Sequence, residues 1–142
     1  MTTRNVFITG CSTGIGRALA RACISRGDTV VATARNVDDL QYLDHDNAIR
    51  MALDVNDDSA IERVFEEVSA RLGHIDLLIN NAGLALGLEP AQNCNLDDWE
   101  TMIDVNNKGL VIMTRLVLEG MKKRQSGHII NIGSTAGNYP YP

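Results

Sequence analysis

Thr9-Gly10-Cys11-Ser12-Thr13-Gly14-Ile15-Gly16 follows the apolar run Val6-Phe7-Ile8 and precedes a helical pattern. Its glycine spacing is the first feature that can do chemistry. Three glycines spaced G-x-x-x-G-x-G allow a tight strand-to-helix turn, a close approach of backbone to phosphate, and a helix packed tightly on its strand. The turn sits where unpaired N–H groups at a helix N-terminus meet an anion. Gly10, Cys11, Ser12, Thr13, Gly14, Ile15 and Gly16 are therefore candidate contacts to a dinucleotide pyrophosphate, with Ser12 and Thr13 adding hydroxyls. Taken alone, the same glycines also suit a turn that binds nothing.

About 20 residues further on, where an acid would take the ribose 2′-hydroxyl of NAD, stands Ala34-Arg35-Asn36. A guanidinium there offers a planar, permanently charged fork suited to a 2′-phosphate, so Arg35 and Asn36 point to NADP. Asp38 and Asp39 are close in sequence, and a surface arginine paired with one of them is the alternative. Asp54-Val55 closes a later apolar run. Its carboxylate suits an adenine amino group or, equally, the N-cap of the helix that follows.

These residues need a scaffold that brings them to one edge. The runs Val6-Phe7-Ile8, Thr29-Val30-Val31-Ala32, Met51-Ala52-Leu53, Ile75-Asp76-Leu77-Leu78-Ile79 and His128-Ile129-Ile130-Asn131-Ile132 read as five strands. They are apolar on both faces more than alternating, as in a parallel sheet buried between helices. Helical patterns span Gly14 to Arg26, Val37 to Leu43, Asp58 to Leu72 and Asp97 to about Arg124. The expectation is an α/β, Rossmann-type doubly wound parallel sheet forming one nucleotide-binding domain. Gly27 and Gly73 suit left-handed helix ends, and Asn95 with Asp97 and Asp98 marks the start of the last helix. That helix carries Gly109 and Gly120, and close packing against a neighbour explains at least one of them.

Composition narrows the function. The 142 residues hold 13 basic and 18 acidic side chains, a net charge of −5, which argues against a nucleic-acid partner. Apolar residues make up 44% and charged residues 22%, an ordinary globular composition. No apolar run has the length of a membrane span or signal peptide, so the cytosol is expected. Cys11, Cys23 and Cys94 are scattered, without a Cys-x-x-Cys pair, and neither a disulfide framework nor a metal site is expected.

Read in order, Thr9-Gly10-x-x-x-Gly14-Ile15-Gly16, Asp54-Val55 and Asn80-Asn81-Ala82-Gly83 make the chain resemble the short-chain dehydrogenase/reductase family. The second half is similar to the bacterial NADP-dependent 3-hydroxy acid dehydrogenases, which oxidise serine or allo-threonine and reduce malonic semialdehyde. That similarity runs through Asn80 to Gly87, Asp98-Trp99-Glu100-Thr101-Met102-Ile103-Asp104, Asn107 to Val111 and Gly127 to Gly137. The resemblance implies that Asn81, Ala82 and Gly83 line the cofactor and that Ser134 is the catalytic serine. It also implies that Asn106 holds a proton-relay water. A hydroxyl after the fifth strand suits hydrogen bonding to a substrate oxygen, and an asparagine inside a helix suits ordering a water at a kink.

The family pattern also requires Tyr-x-x-x-Lys downstream of the serine. Tyr139 and Tyr141 are present, but the last lysine is Lys123. A tyrosine of ordinary pKa about 10 serves as an acid or base near neutrality only beside a cation. The expectation is the N-terminal, cofactor-binding part of a longer enzyme, inactive by itself, with a hydroxy acid or carbonyl compound as substrate. A non-catalytic nucleotide-binding module is the alternative. The fifth strand would end as a bare edge, and Leu110, Val111, Met113, Leu116, Val117 and Leu118 exceed what one sheet face can cover. In the family this helix joins a subunit interface, which implies a homo-oligomer.

Overall fold

The computed structural model describes residues 3–87 and 89–138. Tyr139 and Tyr141 lie outside the described residues. The strands are β1 (Asn5–Ile8), β2 (Thr29–Ala34), β3 (Ala48–Ala52), β4 (Leu77–Asn80) and β5 (His128–Asn131). The α-helices are α1 (Gly14–Ser25), α2 (Asp58–Leu72), α3 (Leu96–Ile103) and α4 (Gly109–Arg124). All strand pairs are parallel, in the order β3-β2-β1-β4-β5. The chain builds outward from β1 through β2 to β3, then crosses to β4 on the other side. This reversal opens a crevice beyond the carboxyl ends of β1 and β4, where ligands bind in such sheets.

The two-sided apolar character of the strands follows from their burial on both faces. Along β1, Phe7 joins one core with Val31 and Leu78, with Ile61, Val64 and Val68 of α2, and with Met113, Val117 and Met121 of α4. Val6 and Ile8 point the other way, into a core with Val30, Ala32, Ala20 of α1, Leu40 and Leu43. Successive side chains on a strand alternate between faces, so helices on both sides require nearly every position to be apolar.

Three details differ from the sequence expectation. The short helix expected near Val37 to Leu43 is only a 3-10 turn, Val37–Leu40. Strand β3 starts at Ala48, which pairs with Val30 of β2, and so begins earlier than its apolar run. The expected single last helix is α3 and α4 joined through a π turn at Asp104–Lys108. This wider turn carries Asn106 to the loop after β4, where its side chain bonds the backbone of Leu84. Gly109, at the start of α4, lies so near the segment after β3 that a Cβ there would be 2.8 Å from the Val55 carbonyl oxygen. Gly27 and Gly73 do adopt positive φ, at 88° and 76°. The end of α4 instead places Gln125, a non-glycine residue, at φ 51°.

Candidate active site

A cavity of about 950 Å³ runs along the carboxyl edge of the sheet, from Arg35 and Asp54 at one end to Ser134 at the other. Its floor at the switch point is a close junction between the segments after β1 and β4. The Thr9 hydroxyl oxygen accepts from the backbone N–H of both Asn81 and Ala82, each at 3.0 Å. In return the Asn81 amide donates to the carbonyls of Thr9 and Gly10, both at 2.9 Å. Glycine is required where these segments touch. A Cβ on Gly10, at φ 70°, would sit 2.8 Å from Ala82 Cα, and one on Gly16 would overlap the Gly10 carbonyl and the Asn81 amide.

Cys11 is locked beneath the turn. Its N–H donates to Thr33 O at 2.7 Å and its thiol to Ile8 O at 3.3 Å. Burial pushes the thiol pKa up to about 12, so Cys11 stays neutral and is not a nucleophile. Neither Cys11 nor Gly16 lines the cavity; Gly10, Ser12, Thr13, Gly14 and Ile15 do.

Helix α1 then starts at the cavity with its first N–H groups available. Thr13 makes no side-chain cap bond, and no acidic residue occupies the first turn. Helix α2 begins differently: Asp57 accepts from Ala60 N at 3.0 Å, with Asp58 beside it. At α3, Asn95 caps Asp97 N, with Asp97 and Asp98 in the first turn. Helix dipoles draw anions to N-termini, and α1 supplies no anion of its own.

Arg35 is exposed on the cavity wall, and no ion pair to it occurs among the described residues. The alternative pairing with Asp38 or Asp39 is therefore not formed. Asn36 lies outside the lining, because its side chain accepts from Asp38 N at 3.0 Å and caps a 3-10 turn. Asp54 lines the cavity beside Val55 and accepts from Asn56 N at 3.0 Å. The N-cap of α2 is Asp57, so the capping alternative for Asp54 does not hold.

At the far end, the Ser134 side chain accepts from Ala136 N at 3.1 Å, and its O–H donates to no group among the described residues. Asn106 lies between this end and the switch point. Its oxygen accepts from Leu84 N at 2.9 Å and its amide donates to Leu84 O at 2.8 Å. Each group keeps one further hydrogen-bonding capacity, an N–H and a lone pair, so a water at this point can be met by the side chain as well as by main-chain groups of the π turn. Asn81, Ala82, Gly83 and Asn106 all line the same cavity.

Several contributors were not evident from spacing. Asn80, buried at the end of β4, donates to Thr114 Oγ1 at 3.1 Å and Asn131 Oδ1 at 2.9 Å, tying β4 to α4 and β5. Its own oxygen is buried with no partner among the described residues. The Thr9 side chain was hidden inside a recognised motif; a polar residue in an apolar strand end is the available signal, since buried hydroxyls need partners.

Residues 4–142 match the family described as short chain dehydrogenase. The chain belongs to the short-chain dehydrogenase family. It is 52% identical over 139 residues to the NADP-dependent 3-hydroxy acid dehydrogenase YdfG of Escherichia coli K12, covering 96% of this chain and 56% of that protein. The fold superposes with a TM-score of 0.91 on a crystal structure of serine dehydrogenase from Escherichia coli, at 51% identity, covering 96% of this chain and 65% of that one. A closed form of serine dehydrogenase complexed with NADP+ gives 0.92 at 51% identity, over 96% and 56% of the two chains. This chain thus spans little more than half the length of the relatives it matches. The bare α1 N-terminus, the open side of Gly14 and Arg35, which forms no ion pair among the described residues, fit a phosphorylated dinucleotide laid along the family's crevice.

Proposed function

We propose that this chain binds NADP(H) and belongs to an oxidoreductase acting on a small 3-hydroxy acid or related alcohol and carbonyl pair. The observation that carries the reading is Arg35. Its guanidinium stands on the cavity wall with no ion pair among the described residues, on the same sheet edge as the uncapped start of α1. The first N–H groups of α1, with Ser12 and Thr13, hold the pyrophosphate, while Arg35 takes the 2′-phosphate in its fork. Asp54 accepts from the adenine amino group, and Asn81, Ala82 and Gly83 wall the nicotinamide end. The names of the relatives, an NADP-dependent 3-hydroxy acid dehydrogenase and a serine dehydrogenase, support both cofactor and substrate class.

When bound, the nicotinamide takes up or supplies the hydride. Ser134 donates its O–H to the substrate oxygen, the group whose charge changes during reaction. Asn106 fixes the loop at Leu84 against the π turn, which presents main-chain carbonyls to a relay water. The proton itself needs an acid–base group of the Tyr-x-x-x-Lys kind, and the 142 residues contain no such pattern. We place the protein in the cytosol as a homo-oligomer. Support comes from the lack of a helix, among the described residues, long and apolar enough to cross a membrane, and from the exposed apolar side chains of α3 and α4.

Titration with NADPH and NADH tests the cofactor assignment. NADPH should bind tighter, and Arg35→Asp should reverse the order; tighter NADH in the wild type, or an unchanged ratio in the variant, defeats it. For the substrate class, the 142 residues should turn over nothing. A form extended through a Tyr-x-x-x-Lys segment should reduce NADP+ with serine, allo-threonine or 3-hydroxypropionate.

A further inference from the structure

Tyr42 has no place in the glycine motif, yet its hydroxyl donates to the Cys11 carbonyl at 2.6 Å, across 31 residues of sequence. It lies just after the 3-10 turn Val37–Leu40, on the segment that begins with Arg35 and Asn36. Leu40 and Leu43 on either side are buried in the core against β1 and β2, which anchors this segment. The ring is held as well: the Arg17 guanidinium stacks 4.1 Å from its centroid and that of Arg21 lies at 5.3 Å. Arg17 belongs to α1, the helix whose N-terminus faces the cavity, and its N–H bonds Thr13 O at 3.2 Å. Tyr42 therefore touches both parts that meet the phosphates, the glycine turn through Cys11 and helix α1 through Arg17.

We propose that Tyr42 is a positioning residue that sets the distance between the pyrophosphate turn and the Arg35 segment, and thereby strengthens selection of NADPH over NADH. This rests on the NADP reading above. Cys11 is already fixed from below through Thr33 and Ile8, so the Tyr42 bond adds a lateral strut to a point that cannot otherwise yield. Ser12 and Thr13, the next two residues, reach the cavity. NADH brings only a ribose hydroxyl to the Arg35 segment, a weak contact through which it senses the spacing little. NADPH adds a charge-assisted phosphate contact to Arg35, so its affinity depends on that spacing more strongly. Burial pushes the Tyr42 pKa up to about 12, so the hydroxyl keeps its proton and remains a donor through the working pH range.

Tyr42→Phe keeps the ring stacked under Arg17 and removes only the hydroxyl. We expect NADPH affinity to fall about three- to tenfold, the range for one neutral hydrogen bond, with NADH affinity changed less than twofold. Tyr42→Leu, which also removes the ring, should weaken NADPH further. Both nucleotides are titrated into wild type and variants by reduced-nicotinamide fluorescence, with thermal melts in parallel. Equal weakening of NADPH and NADH, or a lowered melting temperature with no change in the affinity ratio, overturns the positioning role and leaves Tyr42 a packing residue. Unchanged NADPH affinity in Tyr42→Phe overturns it too. Tighter NADH than NADPH in the wild type instead defeats the cofactor reading, and this inference with it. A Tyr42→Phe ratio that falls while Arg35→Asp still reverses preference is the supporting result.

Discussion

The β1–β2 side of the cavity and the β5 side are built to different standards. On the first, Thr9, Gly10, Gly16 and Asn81 interlock, and β1 is buried along its last three residues. On the second, β5 exposes His128 and Asn131 and half-buries Ile129 and Ile130, while Gly133 and Gly137 have nothing within 4 Å of a would-be Cβ. The coenzyme end is thus preorganised by its own packing. At the β5 end, Ser134 stands at the cavity but is exposed, and among the described residues its side chain is held by the local turn to Ala136 alone. Affinity for the nucleotide should therefore depend on interior contacts. The chemistry proposed for Ser134 should tolerate changes in its surroundings that would ruin the other end.

Glycine substitutions give the largest contrast. Gly16→Ala drives a Cβ into the Gly10 carbonyl and the Asn81 amide, neither of which can move without breaking the junction. It should cost about 3 kcal/mol of stability and abolish NADPH binding. Gly133→Ala, with open space and no positive φ, should stay within about 0.5 kcal/mol of wild type. Urea titrations of the two variants measure both; similar losses would show that the two ends are equally packed.

A smaller effect is expected where the closed side is anchored at the opposite edge of the sheet. Asp28, its side chain 1% exposed, accepts from Arg4 N at 3.1 Å and from Arg26 Nε at 3.0 Å. Burial pushes its carboxyl up, but the Arg26 guanidinium and the Arg4 amide outweigh this and hold it below the usual carboxylate range. A depressed carboxyl stabilises the fold above its ordinary pKa of about 3.9 and loses that stabilisation as pH falls through the lower folded value. Asp28→Asn should therefore cost about 1–3 kcal/mol at neutral pH, with the gap to wild type closing in acid. The exposed Glu119–Lys123 pair on α4 is the counterpart, and Lys123→Gln should change stability at no pH by a measurable amount. Chemical denaturation between pH 7 and strongly acidic conditions separates the two.

The same division governs what could be read before the fold was known. Strands buried on both faces announce themselves through composition, and the glycine spacing located the turn because close approach has few chemical solutions. Arg35 was legible because charge and strand end coincide at one position. Asn36, next to it, was read as a contact but caps a turn, a choice made by local backbone geometry. The π turn, the Asn80 bridge to Thr114 and the reach of Tyr42 to Cys11 depend on which segments the folded chain brings together. No periodicity in the sequence encodes those distances. Asn106 matches a family position, but its two bonds to Leu84 were not legible, since a motif identifies a position and not the atoms it touches.

A small change in monomer stability is also expected at the open side's outer surface. Val111 is 61% exposed and Leu118 43% exposed on α4, with Trp99 at 41% and Ile103 at 55% on α3. Met113, Val117 and Met121 of α4 are buried against the sheet, so α4 is apolar on two faces, of which the described residues cover one. Val111→Lys and Leu118→Lys change side chains that contribute little to the monomer. Lysine is also a better helix former than valine, so each monomer should stay within about 0.5 kcal/mol of wild type. If a second copy covers this face, two like charges placed there should lower the association constant measured by sedimentation over a range of concentrations. A several-kcal/mol loss in the dilute monomer would mean that this chain packs the face internally. Association that survives both substitutions would move the interface to the β5 edge, where unpaired backbone groups offer a second copy hydrogen bonds in place of apolar area.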